Sequence, residues 1–299
     1  MTLHRIVAAL GGDLYQGGHR ANVPAPGHSV HDRSVSLLLS GDRLVIHGFG
    51  GANWRDVRDQ LLALGLIDAA GRPVGGANLS PRAAQRPHQP ARVAAARSLW
   101  DEASPLIAGS LSHRHLRGRA IRLDPAGLQG LRHHPAAPVS VFRRDSPTRP
   151  ALIAAVTTPD GALTAVELVY LESNGRRADR LRVPRKTIGV VPPGSAVRLA
   201  SPAEALVVGE GVMTVLSASE RFGLPGWALM SARNLSAWVA PHGVRRVVIA
   251  ADRGAVGEAS AHRLLRRLRR DGLSASIVLP PPGIEDWNAA ATRGEKEGR

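Results

Sequence analysis

Two carboxylates stand directly after two apolar runs in the C-terminal third of the chain. Glu210 follows "ALVVG" and precedes Gly211, and Asp252 follows "RRVVIAA" and precedes the glycine-containing segment "RGAVG". Two carboxylates near one sheet edge repel each other unless a cation or a proton lies between them. A hard dication such as Mg²⁺ relieves this repulsion and commonly accompanies phosphate substrates. The residues alone leave open the alternative that each acid caps the helix that follows it.

The elements that would position these acids follow from a change of pattern at about residue 204. From there, strand patterns at "ALVV", "GWALMS", "RRVVIAAD" and "SASIVL" alternate with helical ones, of which "AVGEASAHRLLRRLRRDG" is the longest. Such alternation predicts a parallel sheet flanked by helices. Ligands gather at the carboxyl ends of the strands of such a sheet. Because Glu210 and Asp252 stand at two such ends, we expect their side chains to converge at one rim.

The chain divides into four segments by composition and pattern. Residues 1–67 contain a hairpin in "SVSLLLSGDRLVIHGFGG" and a helix that Asn53 caps, and residues 68–90, rich in Gly and Pro, predict a linker. Residues 91–203 open with a helix and continue with strands, among them a hairpin around "TTPDGAL". With 204–299 as the last segment, the predicted fold class is α/β, or α+β over the whole chain. A parallel sheet follows a mixed α+β region and a small N-terminal module.

Arginine dominates the charge of the chain. The formal net charge is +15, and lysine occurs only at 186 and 296. This balance indicates a polyanionic partner, most simply nucleic acid, because the planar guanidinium donates two parallel hydrogen bonds to phosphate. An arginine-rich proteome with GC-biased codons would produce part of the same excess.

The absence of cysteine excludes disulfides and thiolate metal sites. No stretch approaches the roughly 20 apolar residues that span a bilayer, and the N-terminus makes no convincing signal peptide. These features predict a cytoplasmic protein without a membrane partner.

The C-terminal motifs resemble the Toprim domain of phage- and plasmid-type primases. The family's Glu-Gly pair is matched by Glu210 and Gly211, its Asp-x-Asp motif by "DRGAVG" from Asp252, and its third acidic motif by "GIEDWN" with Asp286. The segment "HRHLRGRAI" is similar to the one that precedes Toprim in those primases, where "YLRGRGI" is usual. "GGANWRDVRDQLLALGLI" resembles the end of their N-terminal zinc-binding module.

The resemblance implies nucleotidyl transfer with Mg²⁺ or Mn²⁺ as the cofactor. Glu210 would act as general acid/base, Asp252 would hold a metal that touches the triphosphate, and Asp286 would supply a further carboxylate directly or through water. The implied partners are single-stranded DNA and nucleotides. A replicative helicase would have to be supplied in trans, because the sequence contains no Walker A motif.

Two departures from the family pattern bear on metal binding. Gly254 stands where the second Asp of Asp-x-Asp is expected, which predicts a weaker metal site. In the N-terminal module, non-ligands replace the expected zinc ligands at Val23, Gly48 and Ala52. We expect this module to stand without zinc, although one set of side chains has suitable chemistry for it: His28, His31, His47 and Asp32.

Basic residues predicted to contact nucleic acid fall into two groups. Arg182, Arg185 and Lys186 lie in "RLRVPRKTIG", which the resemblance places beside the active site. The second group belongs to the C-terminal domain and comprises Arg253, Arg266 and Arg270. The helix "HRLLRRLRR" either tracks phosphates or is a solvated amphipathic face whose cationic end suits the helix dipole.

These features predict a primase-like Toprim protein of a mobile element that binds single-stranded DNA in an arginine-lined groove. A catalytically reduced nucleic-acid-binding scaffold is the alternative that Gly254 and the missing cysteines favour. A Toprim phosphodiesterase is the third possibility, although the sequence contains no added nuclease motif.

Overall fold

The computed structural model describes residues 3–30, 32–49, 52–74, 89–143 and 145–297. Contacts divide the chain into two compact units, Met1–Arg86 and Pro87–Arg299. Within the described residues, the strands form three sheets, one in the first unit and two in the second. No helix in these ranges is long and apolar enough to span a bilayer.

The first unit is a four-stranded antiparallel sheet with two helices. Its elements are α1 (His4–Leu10), β1 (Asp13–Tyr15), β2 (Arg20–Val23), β3 (Val35–Ser40), β4 (Arg43–Gly48) and α2 (Trp54–Ala63). The Asn53 side chain accepts a hydrogen bond from the backbone N–H of Arg55, which confirms the predicted cap. Val57 and Leu61 of α2 pack in the core beneath the sheet. Of the predicted linker, residues 68–74 hydrogen-bond to this unit, for example from Leu44 N to the Gly71 carbonyl.

The second unit begins with a five-stranded antiparallel meander. Its elements are α3 (Gln89–Asp101), β5 (Ser104–Pro105), α4 (Leu111–Gly118), β6 (Leu131–Pro138), β7 (Thr148–Thr157), β8 (Leu163–Tyr170) and β9 (Arg185–Gly189). Helix α3 covers one face of this sheet through Ala96 and Leu99. The other face carries Leu152, Ala165 and Val169 into a core that is shared with the last part of the chain.

The last part of the chain is a sheet of four parallel strands with an antiparallel edge strand. Its elements are β10 (Val197–Arg198), β11 (Ala205–Gly209), α5 (Val212–Phe222), β12 (Gly226–Ala228), α6 (Ala232–Ala237), β13 (Arg246–Ala250), α7 (Ala255–Arg270), β14 (Ser274–Val278) and α8 (Trp287–Glu297). The strand order is β10-β12-β11-β13-β14. Helix α5 covers one face and helices α6 and α7 cover the other, which confirms the predicted parallel sheet flanked by helices.

The register of the two central strands brings the predicted acids to one edge. Gly209 of β11 is paired with Ala250 of β13 in a parallel ladder. Glu210 follows Gly209 directly, and Asp252 lies two residues beyond Ala250. Since parallel strands end at the same sheet edge, both acids stand on the same rim.

The turn after α4 joins the meander to the C-terminal sheet. The Arg122 backbone N–H donates to the Glu220 carboxylate of α5 at 3.0 and 3.2 Å, and the Arg122 guanidinium pairs with Glu295 of α8. Asn288 Nδ2 donates to the Arg119 carbonyl at 2.7 Å. These bonds fix the C-terminal end of α4 against helices α5 and α8.

Candidate active site

A cavity of about 650 Å³ lies at the carboxyl edge of the parallel sheet. Glu210, Asp252 and Asp286 line one side of it. The rest of the lining comes largely from α4, from β8 and β9, and from the loop at 174–179. The structure therefore brings the three predicted carboxylates to one cavity, between the parallel sheet and the meander.

The helices that follow Glu210 and Asp252 are not capped by these acids. The N-cap residues are Gly211 for α5 and Gly254 for α7, and neither glycine has a side chain that could cap its helix. Asp252 Oδ1 instead accepts a hydrogen bond of 3.1 Å from Thr214 Oγ1, on the first turn of α5. The capping alternative thus fails for both acids, and their carboxylates remain available to the cavity.

The environment of Asp252 raises its pKa to about 6. Burial is the largest cause, because it disfavours the charged form. The hydrogen bond from Thr214 lowers the pKa, whereas the charges of Asp286 and Glu210 raise it. The three carboxylates therefore act on one another electrostatically, as members of one site.

Asp286 enters the cavity from the loop before α8. Its Oδ1 accepts a hydrogen bond from Ala289 N at 2.6 Å, so this acid also caps α8. The loop is fastened by Arg253, whose backbone N–H donates to the Glu285 carbonyl at 2.8 Å and whose guanidinium donates to the Pro280 carbonyl. The structure thus places Arg253 where it holds the Asp286 loop beside Asp252.

Gly254 has a backbone conformation that L residues rarely adopt. Its φ is +122°, and a Cβ atom added there would meet nothing within 4 Å. There is room for a second aspartate, but its backbone would be strained. Gly254 therefore departs from the Asp-x-Asp motif in its missing carboxylate and also in a backbone conformation that an aspartate would rarely adopt.

The three carboxylates fit a cation that arrives with phosphate better than a cation held by protein alone. Within the described residues, no group of three or more His, Asp or Glu side chains is close enough to hold a metal ion. Mg²⁺, however, is commonly bound by one or two carboxylates together with substrate phosphates and waters. Such a cation would relieve the burial of the Asp252 charge and the repulsion that Asp286 and Glu210 exert on it.

Five arginines line the part of the cavity that α4, β9 and the segments next to them form, and we call them the arginine wall: Arg114, Arg119, Arg176, Arg177 and Arg185. Burial lowers the pKa of Arg119, and the nearby charge of Asp286 raises it. The loop that bears Arg176 and Arg177 is held by His115, whose Nδ1 donates to the Gly175 carbonyl at 3.0 Å. This part of the cavity can bind phosphate oxygens.

Strand alternation separates the basic residues predicted around β9. Arg185 lines the cavity. Lys186 points to the opposite face of the sheet, where its Nζ donates to the Val139 carbonyl and lies 5.0 Å from the Tyr170 ring centroid. Arg182 is exposed in the segment before β9 and is not among the described residues that line the cavity. The structure thus brings only Arg185 of this group to the acids.

Arg266 and Arg270 lie far from the carboxylates. Both are exposed on α7, and Arg270 Nε is 3.8 Å from Asp271 Oδ1. Helix α7 begins beside Asp252 and runs back over 16 residues, a length of about 24 Å. A phosphate-tracking face on this helix would therefore be a surface separate from the cavity.

Sequence reasoning missed most of the arginine wall and one buried acid, Glu167. Two of the arginines, Arg114 and Arg119, stand in "HRHLRGRAI", whose resemblance to the primase segment was the available signal. Glu167 interrupts the apolar strand "TAVELVY", and a lone carboxylate in such a strand is a signal of function.

Two of the histidines considered as zinc ligands, His28 and His47, have local partners. His28 Nδ1 lies 3.0 Å from Asp32 Oδ2, and the pKa of Asp32 is lowered to about 2, chiefly by a hydrogen bond from the Ser34 hydroxyl. The His47 ring packs edge-on against Phe49 at 4.6 Å. His31 lies outside the described residues.

Two family models match the chain. Residues 205–297 match the Toprim domain, and residues 90–199 match a domain of unknown function, DUF7146. No curated protein matches the chain.

Solved structures of primases are similar to the chain at low identity. The primase fragment of the bacteriophage T7 primase-helicase protein is 13% identical over 92% of this chain and 96% of that chain, with a TM-score of 0.41. The Aquifex aeolicus primase, in its zinc-binding and RNA polymerase domains, is 13% identical over 100% and 81%, with a TM-score of 0.45. A DNA primase domain from Pseudomonas aeruginosa is 16% identical over 70% and 75%, with a TM-score of 0.43.

The Toprim domain is identified by the match to its family model and not by these structural likenesses. The match begins at the first residue of β11 and spans the three acids of the cavity. The chain thus carries a Toprim domain at residues 205–297, as the motifs at Glu210, Asp252 and Asp286 predict.

Proposed function

We propose that this protein is a primase-type nucleotidyltransferase that joins nucleotides on a single-stranded DNA template. The observation that carries the proposal is the cavity itself. Three carboxylates at the carboxyl edge of the Toprim sheet and the five arginines of the arginine wall line one cavity of about 650 Å³. Carboxylates and arginines in one cavity suit a substrate that is a phosphate anion and carries a divalent cation.

Asp252 and Asp286 are the residues that would hold Mg²⁺ or Mn²⁺, together with phosphate oxygens. When bound, the cation would neutralise phosphate charge and orient the phosphates. Thr214 holds one oxygen of Asp252 through its hydroxyl, which keeps the carboxylate turned toward the cavity rim.

Glu210 is the residue proposed to accept the proton of the attacking 3′-hydroxyl. Attack of the 3′-oxygen on the α-phosphorus forms the new P–O bond and releases pyrophosphate. The arginine wall would hold the phosphates during this step, because guanidinium groups bind phosphate oxygens through paired, charge-assisted hydrogen bonds.

The template would enter along basic surfaces of the same unit. Arg182 is exposed in the segment that leads into β9, next to Arg185 of the wall. Arg266 and Arg270 offer a second exposed surface on α7. A replicative helicase is the further partner that this proposal implies.

The experiment that tests the proposal is primer synthesis by the purified protein. It is incubated with single-stranded template, labelled nucleotides and Mg²⁺ or Mn²⁺. The Glu210→Gln variant is run in parallel with Glu204→Gln, which removes an exposed carboxylate just before the opposite end of the same strand. Short products that vanish only in Glu210→Gln support the proposal.

Two other outcomes identify the alternative functions. Template binding without products, equal in all three proteins, would indicate a nucleic-acid-binding scaffold. A metal-dependent shortening of the template would indicate a phosphodiesterase. Gly254 is the observation that favours the scaffold function, because it replaces the second aspartate of the Asp-x-Asp motif and so removes one carboxylate from the proposed metal site.

A further inference from the structure

Glu167 is a carboxylate that the proposed chemistry does not use. It lies in the middle of β8, where it is paired with Ala154 on one side and Thr187 on the other. Its strand neighbours Ala165 and Val169 face the core shared with the Toprim domain. Because strand side chains alternate, Glu167 points to the same face and lines the cavity, with 13% of its side chain exposed.

Glu167 is held by a loose ion pair with the arginine wall. Its Oε2 lies 3.9 Å from Arg185 Nε, and the Arg185 side chain is 61% exposed. Burial raises the pKa of Glu167, and the Arg185 charge lowers it. Burying a carboxylate is unfavourable unless a cation compensates for the lost hydration. A largely buried carboxylate in an apolar strand is therefore a candidate functional residue.

Glu167 belongs to the arginine side of the cavity rather than to the metal side. The charges that raise the pKa of Asp252 come from Asp286 and Glu210. The charge that acts on Glu167 comes from Arg185. This arrangement therefore does not favour Glu167 as a metal ligand that substitutes for the aspartate expected at Gly254.

We infer that Glu167 is an internal counter-ion that competes with substrate phosphate for Arg185. The exposed partner of the pair is Arg185, whose guanidinium can exchange the 3.9 Å contact with Glu167 for a phosphate in the cavity. An anion with one phosphate gains too little to compensate for that loss. A polyphosphate that reaches several guanidinium groups at once gains more, so the pair favours polyphosphate ligands over orthophosphate.

This inference deepens the proposed function by naming a residue that sets phosphate selectivity, and it rests on that function. Its test uses binding rather than catalysis. Affinities for inorganic tripolyphosphate and for orthophosphate, each with Mg²⁺, are measured by titration calorimetry. The proteins are the full chain and its variants Glu167→Gln, Arg185→Gln, the double variant, and Glu204→Gln. The last removes a carboxylate 4.0 Å from Arg245, away from the cavity.

The expected result is a gain of about tenfold in tripolyphosphate affinity for Glu167→Gln, because Arg185 then binds the anion without first giving up its ion pair with Glu167. The affinity for orthophosphate should gain more than that for tripolyphosphate, so the preference for tripolyphosphate over orthophosphate should become smaller. Arg185→Gln should lose affinity, and adding Glu167→Gln to it should restore little. Glu204→Gln should bind as the original chain does.

Unchanged or weaker binding by Glu167→Gln, with thermal unfolding like that of the original chain, would overturn the counter-ion role while leaving the phosphate site intact. Equal gains from Glu167→Gln with and without Arg185 would overturn it too, since the effect would then not pass through that arginine. Failure of every protein to bind tripolyphosphate would overturn both this inference and the proposed function.

Discussion

Thr214 Oγ1 donates a hydrogen bond of 3.1 Å to Oδ1 of Asp252, from the first turn of α5 to the end of β13. Thr214 stands one helical turn after Glu210, so one short segment supplies both an acid of the site and the group that orients the other acid. This bond opposes the rise in the pKa of Asp252 that burial produces. It therefore keeps the carboxylate ionised near neutral pH.

Replacing Thr214 by Val should move the loss of cation binding to higher pH. Cations bind the ionised carboxylate, so the Mn²⁺ affinity of the original chain should fall as the pH drops through about 6. Without the hydroxyl the ionised form loses a hydrogen bond, and the midpoint should rise by up to about one pH unit. Mn²⁺ titrations from pH 5 to 8 measure this midpoint.

Thr158→Val is the matched control, because Thr158 donates to Asp160 on the surface of the same unit. It should leave the midpoint unchanged. Identical midpoints in Thr214→Val and the original chain would refute the orienting role of Thr214.

The sequence predicts the Toprim sheet and its acids because both depend on local signals. Apolar strands that end in Glu210 and Asp252 place these residues at strand ends, and parallel pairing brings such ends to one edge. Arg185 and Lys186 were predicted to contact nucleic acid together. They are consecutive in β9, so their side chains point to opposite faces of the sheet, and only one of the two can line the cavity.

Other features depend on contacts between distant segments. The arginine wall assembles from α4, a loop and β9, which come together only when the meander packs on the Toprim domain. The hydrogen bond from Arg253 to the Pro280 carbonyl likewise forms only because the loop before α8 returns to the end of β13. The spacing of residues in the sequence does not predict these contacts between distant segments.

Asp252 should lower the stability of the folded protein at neutral pH. Its pKa is raised from 3.8 to about 6, so the folded state favours the protonated acid, and the penalty is complete above pH 6. Asp252→Asn should therefore raise the free energy of unfolding by about 1 kcal/mol at pH 7.5, after allowance for the exposed part of the side chain.

The stability difference has a defined pH dependence. It should shrink as the pH falls through 6 towards 4, because the original Asp252 becomes protonated in the folded state. Urea unfolding of both proteins at pH 5 and pH 7.5, without divalent cations, measures it. Equal stabilities at pH 7.5 would show that burial does not penalise this carboxylate.

Asn288 should be a main contributor to the packing of the Toprim domain on the meander. It is fully buried, and its Nδ2 donates to the Arg119 carbonyl at 2.7 Å and to Ser217 Oγ at 2.9 Å. Asn288→Ala leaves these acceptors unpaired and should lower the free energy of unfolding by about 2–3 kcal/mol. Urea unfolding measures the change, with the exposed Asn174→Ala as the control. A loss no larger than that of the control would contradict this role.

Ala120 is strained where the primase-type pattern has glycine. Its φ is +57°, a left-handed conformation that costs a residue with a Cβ atom about 1 kcal/mol or more. Ala120→Gly should raise the free energy of unfolding by roughly 0.5–1 kcal/mol, once the greater freedom of glycine in the unfolded chain is counted.

A helical alanine supplies the comparison for Ala120. Ala95→Gly in α3 should lower the free energy of unfolding by about 1 kcal/mol, as glycine does in a helix interior. Thermal unfolding of the two variants should therefore shift in opposite directions. A decrease for both would show that Ala120 is not strained.

We expect Asp252 and Asp286, beside the proton-accepting Glu210, to bind one divalent cation together with a phosphate ligand. Mn²⁺ binding followed by electron paramagnetic resonance, with and without tripolyphosphate, tests it most directly. The original chain should bind Mn²⁺ more tightly with tripolyphosphate present, and Asp252→Asn should lose at least tenfold in that affinity while Glu204→Gln loses none. Equal Mn²⁺ binding by Asp252→Asn and the original chain under both conditions would contradict the account.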